Sequence, residues 1–175
     1  MKLIENPAIL VVDDHKPNVD IVIGILKSEN YNIIPAYSGH EALEKIKTLP
    51  VDLILLDIMM PKMNGFEVCK RIREDVKYKD IPIIFLSALD EPEDIVLGFT
   101  LGGNDYLSKP FRKEELIARV KNYIELKKAK DMIKKQLNDL KEANRFILGV
   151  LHQYSKYVEQ EQDTHPPLKR LRKKK

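Results

Sequence analysis

Leu53-Ile54-Leu55-Leu56-Asp57 sets four consecutive apolar residues directly before a carboxylate. An amphipathic strand would alternate, whereas an unbroken apolar run of this length suits a strand covered on both faces. The run is followed by Ile58-Met59-Met60-Pro61 and then Asn64-Gly65, a loop rich in breakers that precedes a helical pattern at 65–74. Strand, polar residue, loop, helix is therefore the local unit.

The same unit recurs on either side. Short apolar runs at 8–12, 33–36 and 83–86 read as further buried strands, and a weaker fifth lies at 105–108. Helical patterns at 17–28, 39–47 and 92–101 fall between them, and another helix begins near Arg112. Buried strands alternating with helices pair in parallel through right-handed crossovers. The expected fold is α/β, a doubly wound five-stranded parallel sheet, with a long C-terminal α-helix or coiled coil after it.

Composition agrees with a soluble protein. The 175 residues are 43% hydrophobic, enough for a core and against global disorder. The longest apolar runs, such as Ile21-Val22-Ile23-Gly24-Ile25-Leu26, are too short to span a bilayer. The single cysteine, Cys69, has no internal disulfide partner and reads as a small, partly buried apolar residue. A cytoplasmic protein with no membrane segment is expected. The net charge of +3 divides unevenly: residues 1–124 carry −4 and residues 125–175 carry +7. Eight of ten prolines lie between Pro7 and Pro110, and the other two are Pro166 and Pro167. Three parts follow: a domain at 1–124, a helical extension at 125–160 and a basic tail at 161–175.

Ligands of such sheets gather at the carboxyl ends of the strands. Asp13 and Asp14 follow the first run, Asp57 the third, Ser87 ends the fourth and Lys109 follows the fifth. Taken singly, each has an ordinary explanation as a helix cap, a turn residue or a surface lysine. Convergence is what sets them apart. Two carboxylates about 5 Å apart repel by roughly 3 kcal/mol at an effective dielectric of about 20, so three together require a cation. An all-oxygen site with few protein ligands suits Mg²⁺, and Lys109 adds a compact positive charge.

Val11-Val12-Asp13-Asp14, Leu55-Leu56-Asp57-Ile58-Met59-Met60-Pro61, Asn64-Gly65, Ser87-Ala88 and Asp105-Tyr106-Leu107-Ser108-Lys109-Pro110-Phe111 together resemble the receiver domains of bacterial two-component response regulators. The resemblance covers about the first 124 residues, with all five motifs in order. Departures are mild: Asn64 stands where aspartate is common, Asn104 precedes Asp105, and Ser87 replaces the commoner threonine. The resemblance implies a flavodoxin-like fold in which Asp57 accepts phosphate from a sensor histidine kinase or phosphotransfer protein. It implies Asp13, Asp14, Asp57 and the Met59 carbonyl as Mg²⁺ ligands, and Ser87 and Lys109 as phosphate-binding groups. Tyr106 would be the switch residue that reshapes the face of the fourth helix, fifth strand and fifth helix. Lys109–Pro110 would be cis. A phosphoacceptor switch with slow self-dephosphorylation is implied, rather than an output enzyme. The apolar Met59 and Leu89 flanking the site suggest a long-lived phosphorylated state.

Between Arg112 and Gln160 there is no proline, and Gly149 is the one glycine, giving a rod on the order of 70 Å. From Leu126 onward an apolar seam runs along it: Leu137, Asn144, Leu151 and Val158 fit a positions of a heptad, Ile133, Leu140, Ile147 and Tyr154 fit d, and Lys130 and Asn144 are polar at a. A parallel homodimer is one reading. A break near Gly149 with a fold back onto the first domain is the other. His152 lacks the acidic residue and downstream proline of a kinase phosphoacceptor motif and reads as a solvated helix residue. The tail from Lys169 to Lys175 holds six basic residues of seven, which would serve as a disordered solvated arm or as an electrostatic contact for nucleic acid. Two rival outputs stay open: a DNA-binding regulator using that tail, and a receiver plus linker from a larger output enzyme such as a cyclic-dinucleotide regulator.

Overall fold

The computed structural model describes residues 6–88 and 92–164. Five strands, β1 (Ala8–Val12), β2 (Asn32–Ala36), β3 (Leu53–Asp57), β4 (Ile83–Ser87) and β5 (Asp105–Ser108), alternate with α1 (Lys16–Leu26), α2 (Gly39–Thr48), α3 (Gly65–Glu74), α4 (Pro92–Thr100) and α5 (Lys113–Thr164). All four pairings are parallel and the order is β2-β1-β3-β4-β5. The doubly wound sheet expected from the apolar runs is therefore present.

Strand periodicity divides the core into two layers. Leu10, Val12, Ile54, Leu56, Ile83 and Phe85 pack against Ala42, Ile46, Val68 and Ile72 of α2 and α3. Their neighbours Ile9, Val11, Leu53, Leu55, Ile84 and Leu86 pack against Val19, Val22 and Leu26 of α1 and Leu116, Val120 and Ile124 of α5. Cys69 is buried in the first layer.

Local chemistry sets the boundaries, and some differ from those read off the pattern. α1 starts at Lys16 rather than Pro17, since proline is at home in a helix's first turn. It ends at Leu26, tightens into a 3₁₀ turn at Lys27–Glu29, and stops at Asn30, whose φ of 56° is left-handed. Ser38 and Asn64 cap α2 and α3 by accepting hydrogen bonds from the amides of Glu41 and Glu67. α4 stops at Thr100 before Gly102, which has a φ of 93°.

The chain divides into two compact units with the boundary between Ala129 and Lys130. In the second, α5 passes through Gly149 without a break, so the hairpin reading is not what forms. Every side chain from 130 to 159 is exposed. The tail from Lys169 to Lys175 lies outside the described residues. Among the described residues no helix is long and apolar enough to cross a membrane.

Candidate functional site

In this strand order the chain reverses direction between β1 and β3, where open α/β sheets form their ligand crevice. Asp13 and Asp14 follow β1 on one side, and Asp57 ends β3 on the other. Asp13 and Asp57 are buried, and Asp14 is partly exposed.

Lys109 joins the two sides. Its Nζ donates to Asp13 Oδ2 and to Asp57 Oδ1, each at 2.7 Å. Its amide donates to the Ser87 carbonyl at 2.8 Å, tying the loop after β5 to the end of β4. The Lys109–Pro110 bond is cis, as the resemblance implies. Ser87 is fully buried, and Tyr106 is buried in the same core layer as Phe85, its partner on β4. Met59 lies in the loop after β3 with its side chain 63% exposed. Leu89 lies outside the described residues.

Burial pushes the Asp57 carboxyl above its ordinary range; Asp13 and Asp14 add to that, and Lys109 opposes it. Burial also works against the charge on Lys109, yet its hydrogen bonds to Asp13 and Asp57 raise its pKa above the usual lysine value. The two partners of one ion pair thus shift in ways a simple pair would not. Asp57 carries a desolvation cost and two like-charged neighbours that a single ammonium does not offset. The site holds excess negative charge.

Asp13 is held by its surroundings. Its carboxylate accepts from the His15 amide at 2.9 Å and from Asn18 Nδ2 at 3.1 and 3.0 Å. Asn18 was not singled out by the sequence reading; its only signal is an amide one turn into the helix after the acidic pair. Asp14 differs. Its Oδ1 is buried with no hydrogen bond, and His15 Nδ1 lies 3.3 Å away. An orphaned buried carboxylate oxygen costs about 1–3 kcal/mol or more. Together with the oxygen-rich surroundings, that atom fits a hard divalent cation such as Mg²⁺. Atoms of Asp13, Asp14 and His15 come within 4.8 Å of one another, a set that includes the exposed His15 and omits Asp57, which is held to Lys109.

The loop between Asp57 and α3 is shaped by Gly65, whose amide donates to the Ile58 carbonyl at 2.9 Å. Lys62 within it has a φ of 67°, in the left-handed region that non-glycine residues seldom occupy. On the far side, Arg73 donates to the carbonyls of Gly102 and Ile81 and to Asn104 Oδ1, which also accepts from the Ile83 amide. Asn104 thus serves a structural role, clamping the start of β4 to the start of β5.

Residues 9–121 match the family model described as response regulator receiver domain. The chain is 46% identical over 121 residues to the transcriptional regulatory protein YvrH of Bacillus subtilis, covering 69% of this chain and 50% of that protein. It thus spans about half the length of this curated relative. Among solved structures, it is similar to the receiver domain of the Francisella response regulator 1452, at 37% identity, 69% coverage of this chain, 98% of that one and a TM-score of 0.64. It is also similar to the chemotaxis protein CheY4 of Vibrio cholerae, at 33% identity, 67% and 98% coverage and a TM-score of 0.64.

Proposed function

This chain belongs to the response regulator receiver domain family, and on that premise we propose that Asp57 is the phosphoacceptor of a two-component signalling switch. The observation that carries the reading is the Lys109 ammonium held 2.7 Å from both Asp13 and Asp57 across the β1/β3 crevice.

In the reaction, an Asp57 carboxylate oxygen attacks the phosphorus of a phosphohistidine on a sensor kinase or phosphotransfer protein. The O–P bond forms in line as the P–N bond breaks, and the histidine leaves. Most of the work in such a transfer is positioning and charge neutralisation. Asp13, Asp14, Asp57 and the Met59 carbonyl would hold Mg²⁺. The metal would neutralise charge building on the phosphoryl oxygens. Lys109 releases Asp57 and pairs with one of those oxygens, while the Ser87 hydroxyl donates to another. Asn18 keeps Asp13 from rotating out of place.

The modification adds about −1.5 to −2 charges to a crevice already rich in carboxylates. Ser87 moves toward the new acceptors, and Tyr106 follows, which biases the face made by α4, β5 and α5. We take residues 1–124 as the switch, 125–160 as the helical output and 161–175 as a basic tail, in a cytoplasmic protein. The output reading rests on α5, whose exposed apolar seam supports a parallel homodimer with an affinity or register that phosphorylation changes. The Bacillus relative is named a transcriptional regulator, but the match is confined to about half of it.

The test is incubation with a small-molecule phosphoryl donor and Mg²⁺, followed by intact mass and treatment with hydroxylamine. One hydroxylamine-labile phosphoryl group on the wild type and none on Asp57→Asn is the expected result. An unmodified wild type would overturn it.

A further inference from the structure

The part of α5 beyond Lys130 has more apolar surface than one seam accounts for. The a and d residues Ile133, Leu137, Leu140, Ile147, Leu151, Tyr154 and Val158 are all exposed on the single chain. A second row lies beside them. Ala143, Phe146, Val150, Gln153 and Tyr157 recur at steps of three and four, at the g and c positions of the same heptad. Phe146 is 73%, Val150 48% and Tyr157 69% exposed. At about 100° per residue the centres of the two rows lie about 110° apart around the helix.

That angle discriminates between partners. In a two-stranded coil the a/d face is covered, g positions lie only at the edge of the seam opposite the partner's e positions, and c positions face water. Phe146 at c would then stay wet, and Val150 and Tyr157 at g would be covered on one edge only. A helix that is apolar over so wide an arc is one that neighbours cover on more than one side. Four helices in a square array each meet two neighbours at roughly a right angle, which matches the spacing of the two rows.

Layer identity points the same way. After Asn144, Ile147 at d with Leu151 at a is a pairing that shifts preference above two strands. Upstream, Lys130 and Asn144 at a favour a two-stranded register, and the second row is broken: Met132 stands at c, but Gln136 and Asp139 occupy the next g and c places. The helix therefore has a two-stranded zone before about Asn144 and a wider zone after it.

The occupant best suited to both rows is further copies of this chain. In a parallel pair, Asn144 meets its own counterpart and Lys134 and Lys141 at e face Ala129 and Gln136 at g, so no like charges oppose. We propose that α5 assembles as a pair of dimers: the a/d seam forms each dimer, and the Phe146–Val150–Tyr157 row joins two dimers into a tetramer. This rests on the dimer reading above and is independent of Asp57 phosphorylation.

The test is sedimentation equilibrium or light scattering on the full chain over a wide concentration range, with circular dichroism to confirm folding. Wild type is expected to reach four times the 20.3 kDa chain mass. A Phe146→Lys, Val150→Glu pair is expected to halve that mass, and Leu137→Lys with Leu151→Lys to reduce it to the monomer. The exposed helix surface makes all four substitutions compatible with the receiver fold. A wild type that stops at the dimer, or a g/c variant that stays tetrameric, overturns the second row. A monomeric wild type overturns both rows and leaves them to a different protein.

Discussion

A Cβ added to Gly65 would lie 2.3 Å from the carbonyl oxygen of Asp57 and 2.9 Å from the Ile58 Cα. The start of α3 is thus seated directly on the backbone of the residue proposed to take the phosphate. Neither obstructing atom belongs to a side chain that can rotate away.

Gly65→Ala is accordingly expected to displace the loop after β3 and cost about 1–3 kcal/mol, the scale of overpacking in a close-packed site. Phosphoryl uptake should slow along with it. Urea melts and single-turnover labelling of the same samples measure the two effects, and an unchanged variant on both would contradict the close contact.

Asp57→Asn is expected to stabilise the metal-free protein by about 1 kcal/mol at neutral pH, a size usual for relieving a strained functional group. The sign follows from the raised pKa of Asp57. The folded state keeps its proton to higher pH than the unfolded chain does, so ionising this group lowers stability as pH rises. The gain from asparagine should therefore be full at neutral pH, fade as pH falls through the raised Asp57 value toward the ordinary aspartate range, and be absent below it. Thermal melts in chelator across pH check this.

Lys109→Ala removes the cation between Asp13 and Asp57. A loss on the order of 2–3 kcal/mol is expected at pH 7, below the usual cost of breaking a fully buried pair because the ammonium is partly exposed. Without the ammonium, the carboxylates hold protons more tightly in the folded state, so the deficit should shrink as pH falls. A deficit independent of pH between 4 and 7 would count against the electrostatic role.

Mg²⁺ is expected to stabilise the wild type, raising its melting temperature with the logarithm of metal concentration above the dissociation constant, by about 2.7 kcal/mol at a hundred times that constant. Asp14→Asn should abolish that response while leaving the metal-free fold as stable as the wild type or more so, because the orphaned Oδ1 loses its charge. Retention of the full metal response by the variant would show that Asp14 holds no cation.

Much of this was legible in the residues. Leu53 to Leu56, the parallel class of the sheet and the strand-end positions of Asp13, Asp14, Asp57, Ser87 and Lys109 follow from local runs and their spacing, because a doubly buried strand must be apolar throughout. The five-motif resemblance then supplied the roles. The unbroken α5 was foreshadowed by the absence of proline, although Gly149 left a break open; one glycine costs only about 1 kcal/mol and does not end a helix.

What tertiary structure decided are the contacts between residues far apart in the chain. Lys109 meets Asp13 across 96 positions, and Arg73 meets Asn104 across 31. The seat of Gly65 on Asp57 likewise depends on how α3 docks on the sheet. Periodicity reports which face of an element is apolar. Which polar atom ends up opposite another is set only when the layers pack, since that packing fixes distances no local pattern encodes.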